Sequence, residues 1–184
     1  TLGETDISGV NIMFDNFNMP AQPRGMDYNH LYFTDVKLQA NNLSYSLNRT
    51  KADLKQLQLK EKSGFRVENF QADILFDSVQ TQLTNLDLKT GNSHIQRDLA
   101  IRYSSLDALA ENPGATQLDL NIVDSRIAMQ DVLYFMPELR QNPSFKSITN
   151  STLQISGDVE GTVDNMIVRQ LRASGLNGTI VNVT

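Results

Sequence analysis

The sequence predicts an all-β fold with two short helical inserts: a long, mostly antiparallel meander sheet curled into a trough. Three observations predict it. One short string keeps returning, a polar residue, Leu or its like, a polar residue and another apolar one: Asn42-Leu43-Ser44-Tyr45, Gln56-Leu57-Gln58-Leu59, Asn85-Leu86-Asp87-Leu88, Gln117-Leu118-Asp119-Leu120 and Thr152-Leu153-Gln154-Ile155. Strict alternation sends successive side chains to opposite faces of a strand, so each string is sheet with one apolar and one wet face. The connections between strings are short and polar, and a parallel crossover needs a dozen residues or more, so neighbouring strands run antiparallel. Only two stretches leave the period of two. That is too little helix to cover a long meander, and it favours curling over a two-layer sandwich core.

Residues 1–30 read as a leading strand, with Ile7, Val10, Ile12 and Phe14 between polar partners, followed by a Pro/Gly loop at Asn18-Met19-Pro20-Ala21-Gln22-Pro23-Arg24-Gly25. Residues 31–103 form the β-meander, with strands at 31–40, 43–47, 51–60, 65–76, 79–89 and 93–103. Asn48-Arg49, Glu61-Lys62-Ser63-Gly64, Asp77-Ser78 and Thr90-Gly91-Asn92 punctuate them. In residues 104–142 two short helices surround one strand at 118–122. The first runs from a capping Ser105 to a stop at Asn112-Pro113-Gly114; the second gathers Val132, Leu133, Phe135, Met136 and Leu139 behind Asp131, is limited by Pro137 and ends at Asn142-Pro143. Residues 143–184 supply the C-terminal strands, at 151–155, 157–163, 167–171 and the terminus. The strings recur at irregular intervals, so there is no fixed-period solenoid.

Composition narrows the function. The net charge of -5 is modest and its charges are interspersed, which leaves no electrostatic footprint for nucleic acid. A mean hydropathy of -0.33 and the absence of any long apolar run exclude a membrane-spanning helix within these residues. Without Cys there are no disulfides, thiolates or Cys-based zinc sites, and without Trp there is no Trp platform for sugars. The chain starts at Thr1 without an initiator Met and stops in mid-pattern, so it reads as a segment of a larger protein.

No catalytic constellation emerges, and neither a catalytic residue, a cofactor nor a metal is expected. His30 and His94 lie in polar stretches with no companion visible in sequence. Asp15-Asn16-Phe17-Asn18 lacks the spaced carboxylates and closing Glu of a calcium loop and reads as turn chemistry. The sequons at Asn48, Asn150, Asn177 and Asn182 are what a chain rich in Asn, Ser and Thr produces by chance. Gly157-x-Val159-x-Gly161-x-Val163 has a strand period and no helix directly after it, so it bares one face of a strand to a neighbouring backbone and cradles no phosphate.

Several strings resemble those of the TamB family of AsmA-like proteins from diderm bacteria. They are Leu57-Gln58-Leu59-Lys60-Glu61-Lys62-Ser63-Gly64-Phe65, the stretch from Ser105-Leu106-Asp107-Ala108-Leu109 through Asn112-Pro113-Gly114, Ser156-Gly157-Asp158-Val159-Glu160-Gly161-Thr162-Val163-Asp164-Asn165-Met166, and Leu171-Arg172-Ala173-Ser174-Gly175-Leu176. The resemblance covers most of the chain from Leu31 onward, and the Gly-x-Val-x-Gly-x-Val strand is its most family-like part. It implies an internal periplasmic segment of an inner-membrane-anchored protein, with the anchor outside this chain. It further implies a sheet folded lengthwise as a β-taco, phospholipid moved between the membranes, and an Omp85-type outer-membrane barrel as partner of the rest of the protein.

The functional expectation is an apolar groove that shields or conducts phospholipid acyl chains and supports outer-membrane assembly. Its candidate lining is Val36, Leu38, Leu43, Tyr45, Leu57, Leu59, Ile74, Phe76, Leu86, Leu88, Leu118 and Leu120, and its candidate cover is the helix carrying Val132, Leu133, Phe135, Met136 and Leu139. The alternative is a chaperone-like scaffold that binds outer-membrane strands by β-augmentation. A third reading, an adhesin or carbohydrate-binding sandwich, needs a closed core.

Overall fold

In a computed structural model of the chain, the described residues are 1–176, 178 and 180–182, without the side chains of residues 109, 110 and 113. The strands form one ten-stranded sheet in sequence order, antiparallel throughout. They are β1 (Leu2–Asp15), β2 (His30–Ser46), β3 (Arg49–Glu61), β4 (Arg66–Asp77), β5 (Gln80–Thr90), β6 (His94–Arg102), β7 (Gln117–Ala128), β8 (Thr152–Thr162), β9 (Asn165–Ser174) and β10 (Ile180–Asn182). The sheet is open and curled, and does not close into a barrel.

Two inserts interrupt the meander. One carries α1 (Leu106–Glu111), capped by the Ser105 hydroxyl accepting from the Ala108 amide, and a 3-10 turn at Pro113–Ala115. The other carries α2 (Met129–Phe135), a 3-10 turn at Pro137–Gln141 and α3 (Pro143–Lys146). Asn142-Pro143 does not end this helical region as expected. The Asn142 side chain accepts from the amides of Ser144 and Phe145 and opens α3, with Pro143 in the first turn, where a missing N–H costs nothing.

Two further expectations are corrected. Residues 31–40 and 43–47 are one strand, β2, and residues 151–155 and 157–163 are one strand, β8, ending at Thr162. Asn42, at the first of these breaks, is a β-bulge, and beside Ser156-Gly157 the extra residues belong to the neighbouring strands β7 and β9. Asp35, Asn42, Asn85, Asp124 and Gln170 all have φ between 44° and 54°, the left-handed region, and each sits at or beside a register shift with a neighbouring strand. Asn and Asp enter that region at lower cost than other side chains because they bond locally. A bulge adds one residue, bends the strand and restarts the alternation.

The consequence is repeated five times. An exposed left-handed residue is followed by one turned to the apolar face: Asp35 by Val36, Asn42 by Leu43, Asn85 by Leu86, Asp124 by Ser125 and Gln170 by Leu171. Val36, Leu86 and Ser125 are buried there. So are Ala40, Leu54 and Ala72, which lie opposite one another across β2, β3 and β4. No helix packs extensively on these strands, and apart from the contact of α2 with β7 and weaker ones the strands pack on their hydrogen-bonded neighbours. The burial therefore comes from the sheet bending toward its own apolar face.

Candidate functional site

Residues directly opposite in register share a face, so the pairing traces rows across the sheet. One row reads Ala52, Ile74, Leu83, Leu99, Leu120, Val159 and Val168, with a member from each strand β3 to β9. A second reads Tyr45, Thr50, Phe76, Thr81, Ile101, Leu118, Gly161 and Met166. A shorter one joins Phe70, Leu88 and Ile95. The opposite face is polar: Asn41, Asp53, Asp73 and Thr84 form one of its rows, Asp98, Asn121, Asp158 and Arg169 another. These rows run perpendicular to the strands. Because the strands bend at their bulges, the rows are the length of the trough and the hairpin turns are its two rims.

All twelve candidate lining residues fall on this apolar face. Val36 and Leu86 are buried in the crease, Tyr45 and Phe76 are exposed, and the other eight are half-buried. The sequence reading missed Leu54, Leu83, Leu99, Ile101, Val159 and Val168, which the register adds. Their signal was present as alternation, but the bulges shifted its phase between strands. Gly157 and Gly161 are bare where β9 passes: a Cβ at Gly161 would lie 2.4 Å from the Asn165 carbonyl oxygen, and one at Gly157 3.0 Å from the Leu171 Cα.

The helix expected to cover the groove lies along one rim. Leu133 is fully buried, Val132 and Leu139 are half-buried, and Phe135 and Met136 are exposed. Asp131, itself buried, accepts from the hydroxyls of Thr90 and Ser93 and from the Asn92 amide at 2.9 Å, all in the β5–β6 turn. Farther along, Phe65 of the β3–β4 turn meets the Tyr134 and Phe135 rings edge-on at 5.5 and 5.0 Å. The Met26 amide then donates to the Tyr134 carbonyl at 2.6 Å, tying in the β1–β2 loop. The insert is a strap fastened to successive hairpin ends of that rim.

Both histidines have companions after all. His30 stands between two carboxylates, Nδ1 at 2.9 Å from Asp27 and Nε2 at 3.3 Å from Asp15, and Lys62 approaches Asp27 to 4.0 Å. Burial works to raise the Asp27 carboxyl, but the Gln22 amide, His30 and the Asn29 amide together hold it below the ordinary range. His94 Nε2 lies 2.5 Å from Asp87 on the polar face. No Ser or Thr hydroxyl is hydrogen-bonded to either imidazole among the described residues. No group of three or more His, Asp or Glu able to hold a metal occurs among the described residues. Asn16 binds the Asn18 amide through its side chain, as turn chemistry requires. The sequon at Asn177 lies outside the described residues.

No family model, curated protein or solved structure matches the chain. Among the described residues no helix is long and apolar enough to cross a membrane. A cleft of about 1110 Å³ lies beside the bulges of β7 and β9, on either side of β8, lined by Asp124, Ser156, Asp158 and Arg172 among others. These groups bond one another and the backbone: the Asp124 amide donates to the Ser156 hydroxyl at 2.9 Å, and Asn121 donates to Asp158 at 2.5 Å. The apolar rows lie on the face of the sheet opposite Asn121 and Asp158.

Proposed function

We propose that this chain is a segment of a lipid conduit, in which the trough shields the acyl chains of phospholipids. The supporting observation is the direction of the apolar rows. The seven-residue row from Ala52 to Val168 crosses six strand spacings, about 29 Å at ~4.8 Å each. An acyl chain occupies about half of a ~30 Å bilayer core, so one chain lies along the row with length to spare. Each methylene removed from water contributes about 0.8 kcal/mol, and a wall of half-buried Leu, Ile and Val gains several kcal/mol with no polar recognition. The resemblance of its strings to those of TamB proteins is the ground for setting the proposed trough in the periplasm, between an inner-membrane anchor and an Omp85-type partner supplied by the rest of the protein, in the service of outer-membrane assembly.

Native mass spectrometry of the chain expressed in a diderm bacterium tests the reading. Bound phospholipid is the expected result, lost in the double variant Leu99→Lys and Leu120→Lys while circular dichroism stays that of sheet. Equal lipid content in the folded variant refutes the conduit. One observation favours the scaffold reading beside it. β1 is an edge strand with one side unpaired, and it exposes Ile7, Val10, Ile12 and Phe14, which is a template for strand addition. Retention of unfolded outer-membrane barrel proteins by a lipid-free chain would support that alternative.

A further inference from the structure

The carboxylates around His30 come from separate segments. Asp15 ends β1, Asp27 lies in the β1–β2 loop, His30 opens β2, and Lys62 reaches in from the β3–β4 turn. The Asp27 side chain is 1% exposed and that of His30 15%, so the pair is held out of water. Donor counting fixes the charge of the ring. Nδ1 lies 2.9 Å from an Asp27 oxygen and Nε2 3.3 Å from an Asp15 oxygen. An ionised carboxylate only accepts and a neutral imidazole carries one N–H, so either neutral tautomer turns a bare lone pair toward a carboxylate. Only the imidazolium suits both. With His30 charged, two carboxylates face two cations, the second being Lys62 Nζ at 4.0 Å from Asp27. Without that proton, negative charge is left in excess on a buried carboxylate. Glu61, beside Lys62 at the end of β3, is negative too and accepts from the Tyr32 and Ser63 amides. The strap meets the loop through the uncharged Tyr134 carbonyl and Pro137.

The loop is where a change of charge is felt. Asp27 organises it, accepting from the Gln22 amide at 2.9 Å and the Asn29 amide at 3.2 Å. Its neighbour Met26 is buried and gives its amide to the Tyr134 carbonyl of the strap. Gly25, at φ 75°, passes so close that an added Cβ would lie 2.9 Å from that carbonyl oxygen and from Pro137 Cγ. Displacing Asp27 therefore pulls the loop off the strap. We infer that the cluster is a pH-operated latch: a charged His30 holds the β1–β2 loop against the strap, and loss of the imidazole proton lets the loop come away. The inference goes beyond the conduit reading and does not depend on it. The closed latch holds a proton that the open one gives up, so closure weakens as pH rises, within the range of about pH 5 to 8 where imidazole titrates. Asp27 stays ionised across that range, since its carboxyl is already held below the ordinary value.

The test follows hydrogen exchange of the loop and strap amides across that range, with rates corrected for the base catalysis of exchange itself. Protection of the Met26 amide and its loop is expected to fall about tenfold as pH rises, the effect of losing one charge-assisted hydrogen bond, while β5 and β6 keep theirs. The chain has two histidines, so in the His94→Gln variant the one imidazole left in the proton NMR spectrum is His30. Its titration is expected to coincide with the loss of protection. His30→Gln is expected to leave the loop equally open at both ends of the range. Constant protection in the parent, a midpoint that departs from the His30 titration, or a fall that persists in a folded His30→Gln chain overturns the latch. Should His30→Gln fail to fold, agreement or disagreement of the two midpoints in His94→Gln decides the matter.

Discussion

At the residue scale, polar groups set the shape of the sheet. Asn85 shows how: its φ is 53°, its side-chain amide donates to Asp73 at 2.7 Å, and its own N–H donates to Asp98 at 2.9 Å. Ala keeps a Cβ in the left-handed region without the local side-chain bonds that offset it in Asn, at a cost of about 1 kcal/mol relative to Gly. Asn85→Ala is therefore expected to be less stable than Asn85→Gly by that amount in urea denaturation, although both lose the same hydrogen bond. Asp131→Ala removes the acceptor of three donors, of which the Thr90 and Ser93 hydroxyls are buried, and is expected to cost about 1 to 3 kcal/mol, read by the same measurement. Acid sensitivity belongs here too. The Val79 amide, the Gln80 side chain and Arg49 hold the Asp77 carboxyl below its ordinary 3.8 against the opposing effect of burial, and Asp27 shifts in the same direction. Between the lowered native value and the ordinary one, the unfolded chain binds protons that the native chain does not, so stability rises with pH there. The contribution is complete above about pH 4 and is lost on further acidification. Asp77→Asn is expected to flatten the acid limb of a stability profile measured from about pH 5 down to about pH 2.

At the scale of elements, the period of two carried most of what could be read in the sequence, and the bulges carried what could not. Alternation found the strands, their short turns made the meander antiparallel, and the departures from it at Ser105 and Asp131 marked both inserts. The same rule split β2 at Asn41-Asn42, because an extra residue in a continuous strand imitates the end of one, and β8 at Ser156-Gly157, where the extra residues belong to the neighbouring strands β7 and β9. It also mistook Asn142-Pro143 for a stop. The lining was legible wherever Leu stood in strict alternation, but Leu83, Leu99 and Val159 needed the pairing partners that only register supplies. The strap's course was not legible at all, since contacts such as Phe65 with Phe135 join turns far apart in the chain. Deleting Asn85 removes the bulge and puts Leu83 and Leu86 on the same face by simple alternation. The expected product is folded but flatter at β5, with faster amide exchange around Leu86 than in the parent.

At the scale of the whole molecule, the sheet gains its stability almost entirely between consecutive strands, and its edges stay open. β1 has Glu4, Asp6 and Asp15 to discourage pairing with acidic neighbours but no Lys or Pro along its length. Val10→Lys is expected to reduce concentration-dependent association in light scattering, with no loss of the folded sheet. The lengthwise rows have a further consequence for how such a molecule can change. Each row takes about one residue from each strand, so the number of hairpins fixes how far the wall extends, and strand length fixes how deep it is. A duplicated hairpin would add about 10 Å to the reach of every row while leaving the cross-section as it was. Span and bore can therefore vary independently, one by copying whole hairpins and the other by lengthening strands on either side of a bulge.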